Sequence, residues 1–176
     1  MKIYLAGFDV FRPDAVAYGE SLKQACEDHG FTGLYPLDNT LERGVHGRAA
    51  AEMICHANLE LIRQADCVMG NLNPFRGHEP DSGTAFELGF ATALGKDTWG
   101  YTSQHADLVQ QIALADGAAG IAMPDERYYD SEGFLVENFG LNVNLMLACT
   151  AHIVVGSALD CLAAMALRYR ASGTVP

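Results

Sequence analysis

A chain of 176 residues is long enough for one well-packed core and short for two, so a single domain spanning residues 1–176 is expected. Apolar residues make up 49% of it, which excludes a disordered chain. A formal charge of −11 and a pI near 4.8 argue against a nucleic-acid polyanion or an anionic membrane surface as partner and favour a neutral small molecule.

The opening MKIYLAGF has one lysine and then a short strand-like run, too few apolar residues for a signal peptide. No stretch approaches the roughly 20 apolar residues of a membrane helix, so a cytoplasmic protein is expected. Residues 3–7, IYLAG, form the first strand, and Pro13 opens a helix running to about His29, with Ala17, Leu22, Ala25 and Cys26 as its buried stripe. Residues 31–37 read as a second strand, followed by a turn at Asp38, Asn39 and Thr40. From about 48 to 64, Ala50, Met53, Ile54, Ala57 and Leu61 recur at helical spacing and predict a helix with one buried face, with Asn58 near its middle.

Residues 66–72, DCVMGNL, form a third strand whose continuous apolar run suits a sheet covered on both faces. A polar loop then empties into an apolar helix at 85–94, capped by Asp81 or Ser82 and expected to be buried nearly all round. Residues 97–102 read as a fourth strand. The segment 103–140, with Gly117, Gly120, Pro124 and a tyrosine-bearing charged stretch, is either a linker or a binding loop. A short apolar segment at 142–149, a fifth strand at 152–155 and a helix capped by Ser157 complete the chain. Alternating strands and helices imply an α/β, flavodoxin-like five-stranded parallel sheet of order 2-1-3-4-5 with helices on both faces. Its ligand belongs at the carboxyl ends of strands one and three, at residues 7–9 and 71–77.

Five cysteines without a C-x-x-C pair read as buried free thiols, and six histidines show no ligand spacing, so neither a metal nor a cofactor is expected. Strand one is followed by A-G-F-D-V-F-R-P-D, which carries no nucleotide fingerprint. P-D-S-G-T, with Gly83, offers backbone N–H groups at a helix start, although Asp81 would repel an anion there.

Glu87 is the only charge in the apolar helical run, and a carboxylate in such company is enriched at functional sites. Its alternative is a side chain reaching solvent or paired with Arg76. Asp81, six residues earlier, supplies a second carboxylate, as in sites that cleave acetal-like carbons; its alternative is a plain helix cap, and because one side chain cannot easily fill both roles, Ser82 can cap instead. Tyr4 either fills the core or points its phenol at a carboxylate. Asn58 and Asn144 must find partners, and a ligand is one candidate. Phe8, Phe11, Phe75 and Arg76, near the strand ends beside Gly7, are candidates to stack on a base.

The run N-L-N-P-F-R-G-H-E-P followed by D-x-G-T-A-F-E-L-G-x-A-x-A-L-G-K resembles the nucleoside 2-deoxyribosyltransferase family. So do K-I-Y-L-A-G at 2–7, P-L-D-N at 36–39 and F-G-L-N-V-N-L-M-L at 139–147. The resemblance implies exchange of the base of a 2-deoxyribonucleoside for a free nucleobase, with Glu87 as glycosyl nucleophile, Tyr4 orienting it and Asp81 contacting the nucleoside. It also implies a homo-oligomer in which Asn144 is lent to the neighbouring subunit's site. Asn58 stands where some members carry an aspartate thought to protonate the base, and an amide cannot act as that acid. An N-glycoside hydrolase of nucleosides or deoxynucleoside monophosphates, and a non-enzymatic nucleoside-binding module, are the alternative readings.

Overall fold

The computed structural model describes residues 1–39, 44–115 and 127–173. Thr40 of the expected turn, and Gly117, Gly120 and Pro124, lie outside the described residues. In chain order the elements are β1 (Lys2–Ala6), α1 (Ala15–Asp28), β2 (Thr32–Leu34), α2 (Gly47–Gln64), β3 (Cys67–Asn71), α3 (Ser82–Ala93), β4 (Asp97–Thr102) and α4 (Leu108–Ala115). There follow β5 (Tyr128–Tyr129), β6 (Leu135–Val136), α5 (Leu145–Ala148), β7 (His152–Val155) and α6 (Ala158–Ala171). The main sheet runs β2-β1-β3-β4-β7 with every pairing parallel, which is the expected flavodoxin-like order with β7 as its fifth strand. β5 and β6 form a two-stranded antiparallel ribbon inside the 103–140 segment, where no strand was expected.

The strands are apolar throughout because helices cover both faces, and their side chains alternate between two cores. Ile3, Leu5, Met69 and Trp99 pack with Leu22 of α1 and Leu162 and Met165 of α6. Tyr4, Val68 and Leu72 pack on the opposite face with Ile62 of α2 and Leu88 of α3. Each large side chain fully buried there, Leu162 or Ile62 for example, contributes about 1.5–3 kcal/mol. Ser157 caps α6 in a reciprocal capping box with Asp160, as the sequence predicts.

Three expectations about burial change. In α1 the buried positions are Ala15, Gly19, Leu22, Ala25 and Cys26, while Ala17 is exposed. Only Ile62 of α2 is buried, and α3 buries Thr84, Leu88 and Ala91 but exposes Phe86. Cys26, Cys67 and Cys161 are buried thiols, whereas Cys55 and Cys149 are exposed; all five are unpaired. No helix among the described residues is long and apolar enough to cross a membrane.

The topology prepares a crevice. The chain leaves β1 toward α1 on one face of the sheet and leaves β3 toward α3 on the other, so the two exits diverge between neighbouring strands.

Candidate active site

Tyr4 alternates onto the α2/α3 face of β1, is completely buried, and donates its hydroxyl to Glu87 Oε1 at 2.6 Å. Glu87 sits about one and a half turns into α3, where the helix dipole still favours negative charge. Burial nevertheless pushes its carboxyl up to about 7; the Tyr4 hydroxyl and the Asn58 amide pull the other way, and the nearby charge of Asp81 adds to the rise. The Tyr4 phenol is held far above its usual range by burial and by Glu87, so it serves as a donor and not as a base. Arg76 is no ion-pair partner for Glu87. Its guanidinium lies 4.7 Å from the centre of the Phe75 ring and 5.2 Å from that of Phe11.

Glu87 opens into a cleft of about 630 Å³ at the carboxyl edge of the sheet. Gly7, Phe11, Asn58, Asp81 and Gly83 line it as well, so six of the site candidates named from the sequence converge there. The remaining wall is largely apolar and includes Val10, Leu37, Met53, Ile54 and Ala57, with no lysine or arginine lining it among the described residues. The stripe on α2 that reads as core in the sequence is therefore cleft wall along Met53, Ile54 and Ala57. Core and ligand wall obey the same helical period; Asn58, in phase with the stripe, is the polar interruption that marks the difference.

Asp81 fills two roles at once, contrary to the expectation that Ser82 would take the cap. Its Oδ2 accepts from Thr84 N at 2.9 Å and from Thr84 Oγ1 at 3.1 Å, capping α3, while the residue lines the cleft. Asn58 Oδ1 is buried and has no hydrogen-bond partner. The P-L-D-N run lines the opposite rim, held by Asp38, which accepts from Tyr35 N at 2.9 Å and from Lys23 Nζ at 2.7 Å.

The aromatic candidates form a stack. Phe75 lies parallel to Phe8 at 4.8 Å and to Phe11 at 5.5 Å between ring centres. Phe11, 58% exposed, is the ring of the three that lines the cleft, and Phe8, Phe75 and Arg76 support it from outside. Arg76 holds a left-handed backbone (φ 55°), unusual for a residue with a side chain. Asn144 lies elsewhere: it caps α5, accepting from Met146 N at 3.0 Å and donating to Glu137 Oε1 at 3.0 Å. It lines a second groove of about 500 Å³ with Ala85, Gly89 and Met146. The structure does not bring Asn144 to the cleft of its own chain. Among the described residues no three His, Cys, Asp or Glu side chains are placed to share a metal ion.

A largely buried carboxylate steered by a phenol, a second carboxylate beside it and a largely apolar wall suit attack on an electrophilic carbon of a flat-faced ligand.

Comparison with known proteins agrees. The model of the nucleoside 2-deoxyribosyltransferase family matches residues 3–146. An uncharacterized protein of Schizosaccharomyces pombe is 36% identical over 155 residues, covering 82% of this chain and 74% of its own. A 2-deoxyribosyltransferase from Leishmania mexicana is similar in structure with a TM-score of 0.72 and 33% identity, covering 96% of this chain and 98% of that one. A 2-deoxyribosyltransferase from Bacillus psychrosaccharolyticus gives a TM-score of 0.51 at 25% identity, over 68% of this chain and 83% of that one.

Proposed function

The chain belongs to the nucleoside 2-deoxyribosyltransferase family, and from that premise we propose that it is a single-domain enzyme exchanging the base of a 2-deoxyribonucleoside. The observation that carries the reading is the Tyr4 hydroxyl set 2.6 Å from a largely buried Glu87 carboxylate that lines a mostly apolar cleft together with Asp81 and Asp38. Glu87 attacks the anomeric carbon as the N-glycosidic bond breaks, and the bonding pair leaves with the base. A free base then displaces Glu87 from the deoxyribosyl ester, so that two inversions retain configuration. Each step develops oxocarbenium-like positive charge, which the adjoining carboxylates stabilise. Asn58 has no proton to give near neutral pH, so handling of the departing base's proton falls to Asp81 or to water.

The apolar wall from Phe11 to Met53 and Ile54 suits a base face, and the carboxylates suit sugar hydroxyls. A wall that holds a second base in place of water supports transfer over hydrolysis, and the lack of a lining cation disfavours a monophosphate substrate. Asn144 faces a separate groove, which supports its being lent to a neighbouring subunit of a homo-oligomer. Five unpaired thiols support a reducing, cytoplasmic setting.

The test is to incubate the protein with 2′-deoxyadenosine and an isotopically labelled second base and to separate the products. Labelled deoxynucleoside, with a deoxyribosyl adduct on the Glu87 peptide in mass spectrometry, is the expected result. Free adenine without labelled product identifies the hydrolase, and unchanged substrate leaves only a binding module.

A further inference from the structure

Asp9 is the one charged side chain fully buried among the described residues, at 4% exposure, and the chemistry proposed above makes no use of it. Arg12, in the same turn, is close enough to feel the Asp9 charge but makes no ion pair with it, and a buried carboxylate held by hydrogen bonds in place of an ion pair persists where its geometry is needed. Asp9 sits in the 3-10 turn Phe8–Phe11, the segment that presents Val10 and Phe11 to the cleft. Its Oδ2 accepts from Asn71 Nδ2 at 2.8 Å, and Asn71, also 4% exposed, is the last residue of β3. That bond spans the place where the exits of β1 and β3 diverge.

The contact lies immediately behind the cleft floor. Gly7 lines both the cleft and a closed void shared with Asp9, Tyr35 and Tyr101, and a Cβ on Gly7 would stand 3.0 Å from both Asp9 Oδ2 and Asn71 Cβ. From Asn71 the bonding continues: its Oδ1 accepts from Asn73 N and Nδ2 at 3.1 and 2.7 Å. Asn73 Oδ1 in turn accepts from Ser103 N and Oγ at 2.9 and 2.7 Å, at the exit of β4. Tyr18, Tyr35 and Tyr101, from α1 and the exits of β2 and β4, all feel the charge of Asp9. Of these three phenols and the Asn71 amide, all but Tyr18 come from strand ends.

We propose that Asp9 is a positioning residue: with Asn71 it clamps the crevice between the β1 and β3 exits and so sets the width of the wall against which the nucleoside lies. The clamp rests on the glycosyl-transfer reading for its consequence in catalysis but not for its existence. It acts from the sheet face opposite Glu87 and leaves the Tyr4–Glu87 pair in place, so its loss weakens binding of ground and transition states alike.

Asn71→Asp sets carboxylate against carboxylate while keeping the acceptor for Asn73, and Asp9→Asn with Asn71→Asp restores the bond with donor and acceptor exchanged. In Asn71→Asp, amides of residues 8–11 and 72–75 should exchange hydrogen faster. The nucleoside KM should rise about tenfold with kcat within about threefold, the size expected for one lost bond to a charged group. The double variant should return both readouts toward wild type, which general damage to the fold would not do. Unchanged exchange at 8–11 in Asn71→Asp, or fast exchange persisting in a double variant of native melting temperature, overturns the clamp. A wild-type protein that turns over no nucleoside overturns the functional reading instead, and amide exchange still decides the clamp.

Discussion

The two ends of the parallel sheet treat their polar groups in opposite ways. At the amino end, Asp97 accepts from Tyr169 Oη at 2.6 Å and Trp99 Nε1 at 3.2 Å, with His152 Nε2 also 3.2 Å away; Lys96 Nζ donates to the carbonyls of Arg63 and Ala65, closing the end of α2. At the carboxyl end lie the two buried polar side-chain atoms that lack partners among the described residues, Asn58 Oδ1 beside the cleft and Tyr35 Oη beside the void next to it. Glu87 there is raised to about 7 by burial. Saturated polar groups stabilise; unsatisfied ones are held in readiness for a ligand. The difference assigns stability to one end and chemistry to the other, and substitutions at each end should separate the two properties.

The largest effect belongs to Glu87→Gln. Base exchange should fall by at least about 10³, because the covalent step loses its nucleophile while the cleft keeps its shape. The same change should raise stability. A carboxyl whose folded pKa is raised stabilises fully below its unfolded value near 4.5, and that contribution is lost as pH climbs through about 7. The variant escapes this loss, so its unfolding free energy should exceed that of wild type at pH 8 by on the order of 3 kcal/mol and match it near pH 4, read from denaturant unfolding at the two pH values. An inactive variant that is also less stable at pH 8 would return Glu87 to a structural role.

Tyr4→Phe comes next. Losing a hydrogen bond that favours the ionised nucleophile should lower kcat/KM at neutral pH by about tenfold or more. In wild type, kcat/KM should rise with pH and level off above about 7, where Glu87 is ionised; in Tyr4→Phe the rising limb should move to higher pH. A limb that stays in place would detach Tyr4 from the titration of Glu87.

Much of this division was legible in the sequence. Strands read as continuous apolar runs because both faces of the sheet are covered, and crossover-length connections left few orders for five parallel strands. Glu87 stood out because a charge inside an apolar helix has few bland explanations. Met53 and Ile54 did not, since a helix face packed on core and one facing a ligand share a period. Asp9 was hidden for a related reason: nothing local distinguishes a buried carboxylate from a surface one when its partner, Asn71, is 62 residues away. The two-residue strands β5 and β6 are too short to carry a pattern.

Asn58 tests whether the unsatisfied acceptor reads the base. With its amide nitrogen turned toward Glu87, Oδ1 requires an N–H donor, which the 6-amino group of 2′-deoxyadenosine provides and purine 2′-deoxyriboside lacks. Wild type should prefer deoxyadenosine in kcat/KM, and Asn58→Leu should shrink that preference by about tenfold, because the variant has no acceptor for the 6-amino group and none left unpaired by the substrate that lacks it. A preference that survives the substitution would mean that Oδ1 serves a sugar hydroxyl instead.

The smallest effect on activity, and the sharpest control on the comparison, is Tyr169→Phe at the amino end. The hydroxyl donates to Asp97 and accepts from Trp99 Nε1 at 3.1 Å, so its removal breaks two bonds in a half-buried network. Trp99 Nε1 keeps Asp97 as acceptor and Asp97 keeps His152 beside it, so neither group is left bare and the cost should be about 1–2 kcal/mol of stability. Along β4, Asp97 lies about 17 Å and Trp99 about 10 Å from the carboxyl end at Thr102, and none of the network's members lines the cleft. Well below the melting temperature, kcat/KM should therefore stay within about twofold of wild type, since sites with no shared partners rarely couple. A larger loss of activity would show that strain at the amino end travels along β4 to the Asn73–Ser103 contact, and that stability and chemistry are not segregated by the two ends of the sheet.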